Sequence, residues 1–303
     1  MGITKILKII RLHIVAGGVL AFSLGALLAV AGGGNFKPAH VALCYVVVLL
    51  GDLSTHYSND YFDVEVDKYV ERKKFFSGST ILVTNPKLRP LSKHISISLL
   101  MLSNILAAAI VLFLGAPIEF LIIALGANFL GWAYSAPPFR LISRGLGEVV
   151  VAVVTGFAIP GVGYLAVKGQ FDPLFAYFAV PFIMYGLMLS LSLGAPDRNI
   201  DQKGGKRNLV VRKGEIVVFA VILGMAFAAT VTFCVYAWQI IEAAINLGMV
   251  ALLSAVPLTT GLLGFVKVCQ KKDVNRFSAL NIASLFLFNV LMVAYLASVV
   301  LTV

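Results

Sequence analysis

The sequence predicts an all-α polytopic membrane protein, one bundle of nine transmembrane helices with two cap loops on its cytoplasmic side. Three observations carry this. The 303 residues are 60% hydrophobic and only 13% charged, where a soluble domain of this size carries about 25% charged residues. Nine apolar runs are long enough to cross roughly 30 Å of hydrocarbon. Finally, the basic residues partition by side. With the N-terminus inside, 22 of the 24 Lys and Arg fall in inner segments, leaving only Lys37 and Lys168 outside. A wrong helix count would scramble that partition.

The runs are placed near 12–31, 39–58, 95–114, 117–137, 147–167, 173–194, 215–238, 244–266 and 278–301. Lys5, Lys8 and Arg11 precede the first. It continues through Ala31, too long for the apolar core of a signal sequence, so it reads as a retained spanning helix. Gly32-Gly33-Gly34 through Pro38 separates the first pair, Gly115-Ala116-Pro117 turns the third into the fourth, and Gly169 to Pro173 parts the fifth from the sixth. Nine crossings put the termini on opposite sides, and the basic residues put the N-terminus in the cytoplasm and the C-terminus outside. One membrane domain accounts for residues 1–303. The formal charge of +10 does not indicate nucleic acid, because the cations sit in short loops where topology explains them. Cys44, Cys234 and Cys269 lie far apart without metal-ligand spacing and read as inert packing thiols.

Two inner loops are long, near 68–94 and 195–214, and each follows one of two acidic motifs, after the second and sixth helices. Asn59, Asp63 and Asp67 recur at i, i+4, i+8 at the end of the second helix, which stacks them on one face; Asp60 and Glu65 point elsewhere. Asp197 and Asp201 repeat the spacing after the sixth helix. Four helices separate the two motifs, an even number, so both emerge on the same side, as parallel repeats do. An isolated acid at a helix end most simply pairs with loop cations. Five acid or amide groups in two same-sided stripes point instead to a ligand, because carboxylates beside hydrocarbon are costly. Oxygen ligands on two stripes suit Mg²⁺, two or more ions, completed by substrate phosphates. The nearby Arg72, Lys73, Lys74, Arg198, Lys203, Lys206 and Arg207 can neutralise phosphate oxygens. Deeper on the second helix, Asp52 and His56 read equally as functional groups or as hydrogen-bonded helix contacts. Glu148 opens the fifth helix, where the helix dipole explains it.

A metal-bound diphosphate at a membrane edge points to an isoprenyl diphosphate, geranyl to polyprenyl, whose tail dissolves among the helices of the lipid-embedded bundle. The chemistry is then heterolysis of an allylic C–O bond, with metal and cations stabilising the leaving diphosphate and water kept from the allylic carbocation. Tyr134, Phe139 and Tyr61 are candidate aromatic faces for that cation, and equally ordinary interfacial residues.

At these residues the chain resembles the UbiA-type intramembrane prenyltransferase superfamily, whose motifs Asn-x-x-x-Asp-x-x-x-Asp and Asp-x-x-x-Asp are met by Asn59, Asp63, Asp67 and by Asp197, Asp201. Within it the chain looks most like the menaquinone branch, the 1,4-dihydroxy-2-naphthoate polyprenyltransferases, with the vitamin-K-type enzymes nearby. The similar stretches are Asn59-Asp60-Tyr61-Phe62-Asp63, Tyr134-Ser135-Ala136-Pro137-Pro138, Arg144-Gly145-Leu146-Gly147-Glu148 and Gly205-Lys206-Arg207-Asn208-Leu209-Val210-Val211-Arg212. The resemblance implies Mg²⁺ on the two acid motifs, a diphosphate held by basic residues, and a lipophilic aromatic acceptor. On that basis Asp60, Asp63, Asp197 and Tyr134 are the catalytic candidates, with Asp60 and Asp197 the candidates for removing the ring proton. Arg72, Lys73, Arg198, Lys206, Arg207 and Arg140 are expected on the diphosphate, and Arg144 and Ser135 on the acceptor.

The chain departs from the branch in three places: Val64-Glu65-Val66 precedes Asp67 where a Gly is common, Ser77-Gly78-Ser79-Thr80 matches a Gly-rich stretch only loosely, and Tyr134 is followed four residues on by Pro138 rather than Lys, leaving Arg140 the nearest cation. These departures bear on the acceptor more than the donor. A glyceryl phosphate lipid, a haem or a chlorophyll-type alcohol is the alternative acceptor. A cation transporter is the reading from another class, but its acids belong near the midplane rather than at one edge.

Overall fold

A computed structural model describes residues 2–70, 79–240 and 244–302 of the chain. Among the described residues it contains helices and no strand, and nine helices are long and apolar enough to cross a membrane. The spans are α1 (Leu12–Ala31), α2 (Pro38–Phe62), α3 (Arg89–Leu114), α4 (Ile118–Ser135), α5 (Gly147–Lys168), α6 (Pro173–Gly194), α7 (Glu215–Gln239), α8 (Leu247–Cys269) and α9 (Val274–Thr302). All nine expected spans are present, with ends moved by a few residues.

The punctuation is chemical. Proline opens α2 and α6 at positions whose N–H has no helical partner. Asp172 caps α6 by accepting from the Phe175 N–H at 3.3 Å. Gly115 and Gly169 close α3 and α5 with φ of 70° and 76°, a left-handed turn that a side chain disfavours. The middle of α5 carries a π turn over Val154–Ala158. Pro160, two residues beyond it, has no N–H to continue the ladder, which accounts for the local slip.

α5 and α6 form the centre: 67% of the most apolar stretch of α5 and 56% of that of α6 are buried, against 17–33% for the other spans. Around them α2, α3 and α4 pack together on one side and α7, α8 and α9 on the other, with α1 wedged between α5 and α9. Small residues set the closest crossing. A Cβ on Gly25 of α1 would overlap the Pro160 carbonyl, and one on Gly163 of α5 would overlap the Phe22 carbonyl. In lipid, where neighbouring helices gain no hydrophobic advantage, such close backbone packing holds spans together.

Because α2 and α6 run in the same direction, both acid motifs lie at one end of the bundle. Short helices at Val64–Asp67, Ile81–Thr84, Arg198–Lys203 and Leu209–Lys213 build the caps there. Neither motif is one continuous helical stripe. The α2 helix ends at Phe62, Asp63 is its cap residue (φ −93°, ψ 6°), and Asp67 belongs to the next short helix. Asp197 ends a 3₁₀ turn and Asp201 lies in the helix after it. The spacing of four survives these breaks because the Asp67 N–H still reaches the Asp63 carbonyl at 2.8 Å.

Candidate active site

Between the two caps lies a cavity whose wall includes Asn59, Asp63, Asp67, Asp197, Asp201 and Tyr134. Lys206 joins the two motifs. Its ammonium lies 3.1 Å from Asp63 Oδ2 and 3.2 Å from Asp201 Oδ1, and its side chain is only 8% exposed. Burial works against that charge, but the carboxylates of Asp63 and Asp201 outweigh it and hold the ammonium protonated well above the ordinary lysine range. Asp201 Oδ2 accepts from Asn208 Nδ2 at 2.6 Å. Asn208 in turn caps the Leu209–Lys213 helix through the Val211 N–H at 3.0 Å. Glu148 Oε1 accepts from the Leu209 N–H at 2.7 Å, which ties the second cap to the start of α5. These local bonds fold the 204–208 turn inward and place Lys206 on the acids.

On the other wall, Asn59 Oδ1 accepts from Ser135 Oγ at 2.6 Å, a bond that spans α2 and α4 and fixes the amide. Burial, followed by the negative charges of Asp60 and Asp63, pushes the Asp67 carboxyl up to about 7. Glu65 faces outward; its bond to Lys68 at 2.6 Å holds its carboxyl below the usual range.

The residues present fit a divalent cation. Asp63 Oδ1 is buried without a hydrogen-bond partner among the described residues, a costly state for a carboxylate oxygen. A cationic group, Lys206, already stands between the two motifs. Among the described residues no three acid, His or Cys side chains converge tightly enough to cage an ion alone. That donor set suits a hard ion that completes its shell with water and phosphate oxygens.

The other expected residues lie elsewhere. Asp60 is 1% exposed and turned from the cavity; it accepts from Arg11 at 2.7 Å and from Ser79. Ser135 is fully buried behind Asn59. Arg198, Arg207, Arg140 and Arg144 are not on the cavity wall. Arg144 donates to the Pro138 carbonyl at 2.7 Å, and Arg140 is exposed with φ 43°. Arg72, Lys73 and Lys74 lie outside the described residues. Of the three aromatics, Tyr134 alone lines the cavity; Lys93 sits over the Tyr61 ring at 5.7 Å, and Phe139 packs edge-on against Phe129. Sequence reasoning missed Arg11, counted only for topology, and Asn208; both line the cavity.

Below Asn59 and Tyr134 the cavity opens into an apolar chamber inside the bundle. One arm runs between α2, α4 and α5 past Val47, Gly51, Ala124 and Val154. A second runs between α1, α6 and α9 past Leu24, Phe182, Leu285 and Phe288. Ile14, Asp52, Thr155, Ile159, Leu189 and Leu193 border both. A polar, cation-bearing mouth thus leads to an oily forked interior.

The chain is 28% identical over 241 residues to the digeranylgeranylglyceryl phosphate synthase of Pyrococcus abyssi, covering 76% of this chain and 77% of that one. It shares its fold with a UbiA homolog from Archaeoglobus fulgidus solved with DMAPP and Mg²⁺ (TM-score 0.72, 19% identity, 98% of this chain and 100% of that one) and with the same homolog solved with GPP and Mg²⁺ (TM-score 0.71, 19% identity, 98% and 99%). Residues 19–291 match the profile of the UbiA prenyltransferase family, and the chain belongs to that family.

Proposed function

We propose that this multi-pass membrane prenyltransferase moves a prenyl group from an isoprenyl diphosphate to a lipophilic aromatic acceptor, with Mg²⁺ held by Asn59, Asp63 and Asp67 on one side and Asp197 and Asp201 on the other. The observation that carries this reading is Lys206 bridging Asp63 and Asp201 above an apolar chamber: two acid motifs converge on buried positive charge where an oily tail has somewhere to go. When bound, Mg²⁺ supplies Lewis-acid stabilisation of the negative charge that builds on the departing diphosphate. The protein does the rest. Lys206 offers a fixed ammonium to the phosphate oxygens. Asn59, locked by Ser135, presents its amide to the same space. Tyr134, at the boundary between mouth and chamber, is the aromatic available to shelter the allylic cation. The chamber walls exclude water from the carbocation. The distribution of basic residues supports a mouth on the cytoplasmic side, with the N-terminus inside and the C-terminus outside.

A second acceptor is favoured by two observations: the Pyrococcus abyssi relative is named a digeranylgeranylglyceryl phosphate synthase, and the chamber has two apolar arms, room for an acceptor with a chain of its own. The cation-transporter alternative falls with the family assignment. The deciding experiment gives purified protein radiolabelled geranylgeranyl diphosphate, Mg²⁺ and one acceptor at a time. Prenylated 1,4-dihydroxy-2-naphthoate is the expected product. Product from geranylgeranylglyceryl phosphate alone moves the chain to ether-lipid synthesis, and the absence of Mg²⁺-dependent diphosphate release with every acceptor overturns the donor chemistry.

A further inference from the structure

Asp52 and His56 lie on the face of α2 that carries Asn59 and Asp63, at i, i+4, i+7 and i+11, so the polar stripe of the mouth continues into the bundle. At 1.5 Å per residue Asp52 stands about 16 Å along the helix from Asp63. There the walls are mostly apolar, with Arg11, His56 and Thr155 among the few polar groups. Among the described lining residues, Asp52 is the one acid in either arm of the chamber, and it borders both. His56 Nε2 lies 3.5 Å from Asp52 Oδ1, while His56 Nδ1 faces the Arg11 N–H at 3.4 Å. That backbone contact makes Nδ1 the acceptor and leaves Nε2 on the Asp52 side, at ion-pair distance from its carboxylate. Arg11 itself is engaged by Asp60 at 2.7 Å. The imidazole covers one edge of the Asp52 carboxylate. The other faces Gly18 of α1, where a Cβ would stand 3.9 Å from Oδ2; with no side chain there, that edge opens to the chamber, and the Asp52 side chain is 21% exposed against 6% for His56.

A carboxylate held open in a membrane chamber is expensive unless something binds it. It accepts hydrogen bonds and repels anions, so its natural partner is a hydroxyl on an otherwise apolar molecule. The diphosphate end of the donor belongs at the mouth, and its tail has nothing to donate. Resting on the function proposed above, we infer that Asp52, oriented by His56, binds a hydroxyl group of the acceptor and so fixes which face of the acceptor meets the allylic carbon. Any anionic group of the acceptor then points away from Asp52, toward the basic mouth. Phenolic and glyceryl hydroxyls share this chemistry.

The test uses the full chain in lipid nanodiscs with Mg²⁺ and geranylgeranyl diphosphate. Acceptor KM is measured for wild type, Asp52→Ala, Asp52→Asn and His56→Gln, alongside donor KM and acceptor-free diphosphate release. The acceptors are 1,4-dihydroxy-2-naphthoate, its 1,4-dimethoxy analogue and geranylgeranylglyceryl phosphate, so the arms separate phenol from alcohol. Loss of a hydrogen bond to a charged group corresponds to a rise in acceptor KM of about 10- to 100-fold for Asp52→Ala, with a smaller rise for Asp52→Asn. Donor KM and diphosphate release change far less. Asp52→Asn keeps the volume and serves if Asp52→Ala does not fold. In wild type, blocking both hydroxyls as methyl ethers reproduces the Asp52→Ala defect. Acceptor KM within twofold of wild type in both Asp52 variants overturns the inference, as does a donor defect of equal size. No diphosphate release from wild type would instead bring down the donor chemistry, and this inference with it.

Discussion

Replacing Lys206 with Met keeps the aliphatic stem and removes the charge that joins the two motifs. Two carboxylate oxygens lie 3.1 and 3.2 Å from that ammonium, and all three side chains are 7–10% exposed. At an effective dielectric constant near 20, each contact is worth about 5 kcal/mol of Coulomb attraction. Desolvating the three groups offsets much of that total, and measured losses on removing one partner of a buried pair run about 3–5 kcal/mol. Lys206→Met should therefore cost the metal-free protein about 3 kcal/mol, a drop in Tm on the order of 5–10 °C. Magnesium brings positive charge to the same carboxylates and pyrophosphate completes its oxygen shell, so their addition together should recover most of the loss. The assay is thermal unfolding in detergent, wild type against variant, in EDTA and then in Mg²⁺ with inorganic pyrophosphate. Equal stability in EDTA means that Lys206 does not bridge the motifs. A deficit that Mg²⁺ and pyrophosphate leave intact means that the ammonium and the metal do not serve the same charges. Either result refutes the reasoning.

Asp63→Asn and Asp201→Asn should each lower Mg²⁺-dependent diphosphate release by about 100-fold or more, read with radiolabelled donor, because each removes one charge from the metal-holding set. Ser135→Ala removes the 2.6 Å bond that fixes Asn59; with a typical worth of about 1 kcal/mol, it should weaken Mg²⁺ dependence about fivefold in a metal titration. Gly25→Val should separate α1 from α5 at the Pro160 carbonyl and abolish the folded monodisperse peak in size-exclusion chromatography, whereas Gly224→Ala, facing open space, should leave it unchanged.

The spans and their order were legible because hydrocarbon imposes a length on each apolar run. The acid motifs were legible because four-residue spacing survives the breaks at Asp63 and Asp197. What stayed hidden depended on contacts far apart in the chain. Lys206 was one of several loop cations until the Asn208 cap and the Glu148–Leu209 bond folded its turn inward. Arg11 read as a topology signal because its partner Asp60 lies 49 residues away. Ser135 sat in a motif-like stretch that suggested the acceptor, and its hydroxyl turned to Asn59 instead. The π turn in α5 left no mark in hydropathy, since a one-residue slip changes no composition.

Crystals or cryo-EM grids of the protein with Mn²⁺ in place of Mg²⁺ and geranylgeranyl S-thiolodiphosphate in place of the labile donor would locate metal and diphosphate together. The expected density lies between Asp63 and Asp201, with oxygens from both motifs on the metal, Lys206 on the phosphate and the prenyl tail in the chamber. Metal bound by one motif alone, or diphosphate lodged away from Lys206, would contradict a shared clasp.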